Sequence, residues 1–406
     1  MTTGLEHADI VVGIPSYNNA ATIGHVVRAV DAGLHKYFPD KKAVIVNSDG
    51  GSKDGTPDVV KNTSHDHATI FLAHKVFPVH KMSIPYTGLP GKGSAIRAIM
   101  ETAVDMGATA CAVVDSDLRS ITPEWIELLL SPVIKNDFDF VAPLYERHKF
   151  DGTITNSIVY PMTRALYGKS IRQPIGGEFG FSGKLAEFYL KQDVWQTDVA
   201  RFGIDIWMTT EAVANNFKVC QAYLGAKIHD PKDPGSDLSS MLVQVVGSLF
   251  GLTEKHAHHW KLVNSSVEVP TFGFRYYVGL EHVKVNVARM LGIYREGVKD
   301  LADIWVEIIG QGDYGQLKEM AAMPDDAFRF PLPLWTSIIY DYCIAHHKRK
   351  LPEGQLIKTL TPLYLGKTAS FVLEVIDMEQ AEAEAEIEKL CLEYEKGKKH
   401  LADNWS

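Results

Sequence analysis

The chain has 406 residues, 46% of them hydrophobic and 22% charged, with a net charge of −9. That length supports a large core and two domains, while the negative balance excludes a general nucleic-acid binder, which needs clustered Lys and Arg. Scattered Cys111, Cys220, Cys343 and Cys391 suggest neither a disulfide framework nor a zinc knuckle, and no run approaches the ~20 apolar residues of a membrane span, so a cytoplasmic protein without a transmembrane segment is expected.

In chain order, β-branched runs alternate with helix-like patterns. Strands are expected at residues 9–14, 43–46, 69–72 and 110–114, with helices at 21–36, from 56 onward, and at 93–106. This alternation predicts βαβ units and an α/β fold with a mostly parallel, Rossmann-like sheet flanked by helices. Residues 138–226 are mixed, with a strand near 140–145, a helical stretch near 155–166 and a helix after Asp205. Beyond His229 the apolar spacing is mainly helical, at 247–260, 276–309 and 369–394. The expected division is an α/β domain over 1–250 and a mainly helical extension over 251–406. The run from Glu379 to Glu388 reads as a solvated, helix-forming surface segment.

Polar loops follow the expected strands at Pro15-Ser16-Tyr17-Asn18, at Asn47-Ser48-Asp49-Gly50 and at Asp115-Ser116-Asp117. Ligands of such sheets bind at the carboxyl ends of the strands, so three loops converge on one crevice. On extended backbone Asp115 and Asp117 would share a face, where two carboxylates call for a cation. A hard divalent ion carrying a diphosphate meets that need, although an acidic turn would look similar. Asp49 suits ribose or base recognition, or a plain Asp/Gly turn. Gly91-Lys92-Gly93 opens a helix and suits a backbone approaching phosphate, without Walker A spacing. Glu178 stands among Gly176, Gly177 and Phe179, where a carboxylate can meet sugar hydroxyls, or lie in a turn facing solvent. Asp205 precedes an apolar helix and is equally a helix cap. His229 can complete a carboxylate metal site, and Arg147 with Thr155 can grip a small carboxylate and its hydroxyls.

As an ordered set, Pro15-Ser-Tyr-Asn, Asn47-Ser-Asp-Gly, Gly91-Lys-Gly, Asp115-Ser-Asp, Gln173-Pro-Ile-Gly-Gly-Glu, Gly203-Ile-Asp and Lys227-Ile-His resemble nucleotide-sugar glycosyltransferases of the GT-A fold. More narrowly, they resemble the retaining enzymes that make glucosylglycerate, glucosyl-3-phosphoglycerate and mannosylglycerate. The resemblance implies that Pro15, Ser16 and Asp49 hold the nucleoside and that Lys92 contacts the donor. It implies that Asp115 and Asp117 flank the diphosphate and an Mg²⁺ or Mn²⁺ ion, with Asp117 the more direct ligand, completed by His229. Glu178 matches the acid at the donor sugar, Asp205 the acid near the reacting centre and acceptor, and Arg147 with Thr155 the glycerate-binding positions.

The implied reaction moves a hexose, glucose first, from a UDP- or GDP-sugar to the 2-hydroxyl of D-glycerate with retention. Phosphoglycerate-using relatives carry an arginine just ahead of the threonine matching Thr155, whereas this chain reads Thr153-Ile154-Thr155, which favours free glycerate over 3-phosphoglycerate unless Lys149 or another lysine supplies the cation. Glucosyl-3-phosphoglycerate and mannosylglycerate synthases are the nearest alternatives, a sugar nucleotidyltransferase or a non-catalytic nucleotide-sugar binder the more distant ones. The helical region could support a homo-oligomer.

Overall fold

The computed structural model describes residues 6–63, 80–85, 91–228, 239–275, 279–280 and 283–406. The chain divides into two compact units: Met1–Glu146, Gln173–Asp230 and Val269–Gly279 form the first, and Arg147–Arg172, Pro231–Glu268 and Leu280–Ser406 the second. A single cut at residue 250 is therefore corrected, and hydrogen bonding explains why. Residues 271–272 join the sheet of the first unit. Residues near 157 instead bond into the helical unit, where Trp335 Nε1 and Tyr394 OH both donate to the Ser157 carbonyl, at 2.8 and 3.0 Å.

Among the described residues the strands are β1 (Ile10–Ser16), β2 (Ala43–Asp49), β3 (His80–Pro85), β4 (Ala110–Val113), β5 (Phe140–Glu146), β6 (Lys169–Ser170), β7 (Phe179–Ser182), β8 (Val219–Ala226), β9 (Val267–Glu268) and β10 (Thr271–Phe272). Eight form the sheet of the first unit, in the order β10-β8-β5-β7-β4-β1-β2-β3. Its pairs are parallel except where β7 runs antiparallel to β4 and β5. The expected strand at 69–72 lies outside the described residues. The strand beside β2 is β3, whose Pro85 ends it and whose polar His80 and Lys81 hid it from a search for apolar runs.

Every residue of β1 and β2 is buried, as parallel strands covered on both faces require. One face carries Ile10, Val12, Ile14, Ala110 and Ala112 against Val26, Val30 and Leu34 of the helix Ile23–Tyr37 and Trp125, Ile126 and Leu129 of the helix Pro123–Asn136. The register aligns Ser16 with Asp49, so the loops after β1 and β2 leave the sheet side by side.

The second unit is mainly helical, as expected. Its helices include Tyr160–Tyr167, Ser239–Lys255, Val287–Asp300, Ala302–Ala321, Leu332–His347, Glu353–Val375 and Gln380–Asp403. The acidic run belongs to the last of these and is more than a solvated surface. Ala383, Ile387, Leu390, Cys391 and Tyr394 are buried along one side, while Glu388 and Glu395 receive Arg164 and Glu384 receives Arg172. Alternating Ala and Glu suggested exposure, but the larger apolar residues follow at helical spacing just downstream. No described helix is long and apolar enough to cross a membrane, and all four cysteines are buried and free.

Candidate active site

Strand direction gathers the site in the first unit. Because β7 is antiparallel and Phe179 pairs with Val113 of β4, Glu178 lies beside the residues that leave the carboxyl end of β4. The end of β5 contributes Tyr145, and the residue after β8 is Lys227. Lys92 opens the helix Lys92–Asp105, and Asp205 lies in the first turn of the helix Ile204–Ala214.

These side chains form one chain of alternating charge. Lys92 Nζ lies 3.2 Å from Asp205 Oδ2 and 2.8 Å from Asp115 Oδ1. Lys227 Nζ takes the other Asp115 oxygen at 3.1 Å, both Glu178 oxygens at 2.9 Å and the Gly176 carbonyl at 2.8 Å. Tyr145 OH donates to Glu178 Oε2, and Gln173 Nε2 holds the Tyr145 carbonyl at 3.2 Å. Glu178 is fully buried, which removes the solvent-facing turn as an explanation of this acid. The cap residue of the helix Ile204–Ala214 is Gly203 rather than Asp205, whose carboxylate turns to Lys92. Asp205 Oδ1 is buried with no hydrogen-bond partner among the described residues, leaving an acceptor open to a hydroxyl.

Burial and charge act against each other here. Burial alone would raise the Asp115 carboxyl, but Lys92 and Lys227 outweigh it and hold it well below the usual carboxylate range. Burial would likewise lower Lys92, yet Asp115, Asp205 and Glu178 keep it above its ordinary value. Burial pushes Glu178 up to about 7, with Lys227 opposing and Asp115 adding to the rise. Asp205 is raised by burial against the pull of Lys92.

Two glycines are required by contact. Gly177 has φ +96°, and a Cβ there would stand 2.5 Å from Asp115 Oδ2. Gly93 has a different reason from the one its sequence suggested, because a Cβ on it would meet the Val199 carbonyl at 1.9 Å. The Gly91-Lys92-Gly93 segment thus approaches the chain's own backbone, and Gly93 N donates to Arg201 O at 3.1 Å.

The loops after β1, β2 and β4 do converge. Asp49 Oδ1 accepts from Ser16 and Ser52 hydroxyls at 3.2 and 2.6 Å, and Oδ2 from the amides of Gly51 and Ser52, both at 2.9 Å. Asp49 therefore organises its own loop, and Pro15 and Ser16 end β1 beside it. Asn19 Oδ1 accepts from Ser116 Oγ at 2.8 Å, joining the β1 and β4 loops.

One expectation about the paired acids is corrected: β4 ends at Val113, so Asp115 and Asp117 lie past the strand and share no strand face. Thr22 Oγ1 bonds the Ser116 carbonyl at 2.9 Å and pins the turn between them. Asp117 is half-buried and has no hydrogen bond or ion pair among the described residues. His229 lies outside the described residues, and within them no three His, Cys, Asp or Glu side chains group as a metal centre.

Arg147 and Thr155 fall in the second unit. Arg147 Nη1 lies 3.8 Å from Asp151, and Thr155 is buried at the start of the π-helical turn Thr155–Val159. Lys149, a possible substitute cation for phosphate, is committed elsewhere: its Nζ donates to the carbonyls of Val375, Ile376 and Met378 at 2.7, 2.7 and 2.6 Å. Thr153 Oγ1 meets Tyr364 OH at 2.5 Å.

Lys227 and Tyr145 are the members of the site that sequence reasoning missed. Lys227 opens the Lys227-Ile-His motif and Tyr145 ends the strand expected near 140–145, and the available signal was position: each marks the carboxyl end of a strand bordering the crevice.

Residues 11–182 match the family described as Glycosyl transferase family 2. Among curated proteins none matches the chain. Among solved structures, glucosyl-3-phosphoglycerate synthase from Mycobacterium tuberculosis in complex with Mn²⁺, UDP and glucosyl-3-phosphoglycerate is 19% identical, with 60% of this chain and 80% of that chain covered and a TM-score of 0.44. The same enzyme in complex with Mn²⁺, UDP-glucose and phosphoglyceric acid is 18% identical, with 62% and 80% covered and a TM-score of 0.45. A mycobacterial protein is 19% identical, with 62% and 75% covered and a TM-score of 0.46. The match to Glycosyl transferase family 2 thus spans less than half of the chain, on a mostly parallel sheet flanked by helices.

Proposed function

We propose that this chain transfers a hexosyl group, glucose first, from a nucleoside diphosphate sugar to the 2-hydroxyl of D-glycerate, retaining the anomeric configuration. The observation that carries the reading is the buried charge alternation Asp205, Lys92, Asp115, Lys227 and Glu178, of which Lys92, Asp115 and Glu178 lie in the stretch that matches Glycosyl transferase family 2. Such a site offers cations to a departing diphosphate, the charge that most needs stabilising as the glycosidic bond breaks. It also offers the open Asp205 Oδ1 to a hydroxyl. The bond from the anomeric carbon to the diphosphate oxygen breaks, the bond to the glycerate 2-oxygen forms on the same face, and the hydroxyl proton passes to a diphosphate oxygen. Glu178 and Asp205 orient sugar and acceptor. Asp49 shapes the nucleoside loop through its four internal hydrogen bonds.

The residues fit one divalent ion held by a single direct carboxylate. Both Asp115 oxygens already face lysines, whereas Asp117 is uncommitted among the described residues, so Asp117 with His229 would hold Mg²⁺ or Mn²⁺. When bound, the ion supplies positive charge to the diphosphate. Free glycerate is favoured as acceptor because Lys149 is tied to three carbonyls and Thr153 stands where phosphoglycerate-using relatives have an arginine.

A matrix of UDP- and GDP-hexoses against D-glycerate and 3-phosphoglycerate, with Mg²⁺ or Mn²⁺, tests the reading. Fastest turnover is expected with a glucose donor and D-glycerate. Strong preference for 3-phosphoglycerate contradicts the acceptor assignment, and pyrophosphate release from a sugar phosphate and a nucleoside triphosphate replaces the reading by nucleotidyl transfer.

A further inference from the structure

Glu178 is reached by a turn with one bond of its own, from Gly176 N to Gln173 O at 3.1 Å, two residues short of the acid. Gly176 and Gly177 precede it, and a glycine at φ +96° keeps wide conformational freedom unless contacts remove it. Tyr145 donates to Oε2. Asp115 comes close enough to raise the Glu178 carboxyl, a like charge that works against a stable position.

Lys227 answers each of these. Its ammonium lies 2.9 Å from both Glu178 oxygens, binds the Gly176 carbonyl of the turn at 2.8 Å, and stands between Glu178 and Asp115 at 3.1 Å from the latter. The side chain is only 6% exposed, so these contacts are little screened by solvent. Lys227 itself is fixed by its place after the last residue of β8, where its amide donates to Glu146 O at 3.4 Å.

We propose that Lys227 is a positioning residue of the transfer site, holding Glu178 by both oxygens and holding the Gly176-Gly177 turn against Asp115. The inference rests on the hexosyl-transfer reading and adds a specific residue to it.

The test is steady-state transfer by wild type, Lys227→Met, Glu178→Gln and the double variant. Lys227→Met is expected to lower kcat about 10²-fold with donor KM changed less than about threefold, as for a displaced orienting group. On the Glu178→Gln background the same substitution is expected to cost less than about threefold, because the carboxylate it serves is gone. Lys227→Arg, which can still span both oxygens, is expected to stay within about tenfold of wild type. Equal losses on both backgrounds, or a loss confined to KM, overturn the inference.

Should Lys227→Met fail to fold, Glu178→Gln against the double variant decides, since the double variant removes one charge of each sign. Single-turnover transfer with excess enzyme completes the cycle where steady-state turnover is too slow, with the same non-additivity expected. A wild-type chain that transfers hexose from no donor contradicts the proposed function and the inference with it. Additive losses in an active enzyme contradict the inference alone.

Discussion

Asp115 and Asp117 stand two residues apart and sit in different electrostatic settings. Asp115 is the shared counter-ion of Lys92 and Lys227, so its charge is spent inside the protein. Asp117 has no such partner among the described residues, which makes it the informative substitution. Asp117→Ala is expected to reduce metal-dependent transfer at least 10²-fold while leaving the thermal midpoint within about 2 °C, since little folded-state interaction is lost. A metal titration with a parallel melting curve checks both halves. Glu178 supplies a pH handle. Its folded value near 7 exceeds the ordinary 4.5, so the folded state binds the extra proton between these values and stability falls as pH rises through that window. If the ionised form orients the sugar, kcat rises as pH passes about 7, and Glu178→Gln abolishes that limb in a pH–rate profile. The motifs around these acids were legible as residue types in order. Their pairing was not, because it depends on β7 running antiparallel, and a four-residue strand carries no mark of its direction.

Elements were legible where a strong period coincided with punctuation. The helix from Thr56 is preceded by Gly55 at φ +87°, and the helix Lys92–Asp105 by Gly91, so both starts fell close to expectation. The strand β3 was missed because half of its six residues are polar or basic. In the acidic helix the error was one of environment: Glu379 and Glu382 form a capping box at its start, and beyond them Glu384 pairs with Arg172 and Glu388 and Glu395 with Arg164. Lys149 belongs to this scale too. It supplies a cation to the carbonyls of Val375, Ile376 and Met378 at and just beyond the end of the helix Glu353–Val375, a favourable place for positive charge. Lys149→Met is expected to destabilise the helical unit by about 1–3 kcal/mol and to leave the ratio of D-glycerate to 3-phosphoglycerate use unchanged. Denaturant unfolding and acceptor competition separate the two effects. A shift of that ratio would return Lys149 to the acceptor site.

At the scale of the whole molecule, the α/β and helical halves were foreseen, but not the way the chain passes between them. Residues 147–172 leave the first unit and 269–279 return to it, a crossing that depends on the short pairing of β10 with β8 and leaves little trace in composition. The consequence for function is that the charge cluster lies wholly within the first unit, while Arg147, Thr153 and Thr155 lie in the second. The central claim concerns one bond, from the anomeric carbon of a hexose to the 2-oxygen of D-glycerate. The most direct measurement is proton and carbon NMR of the product formed from UDP-glucose or GDP-glucose, D-glycerate and Mg²⁺ or Mn²⁺. The account predicts one new anomeric signal of α configuration, correlated with carbon 2 of glycerate. A β signal, a linkage at carbon 3, or no glycerate-linked sugar with either donor would contradict it.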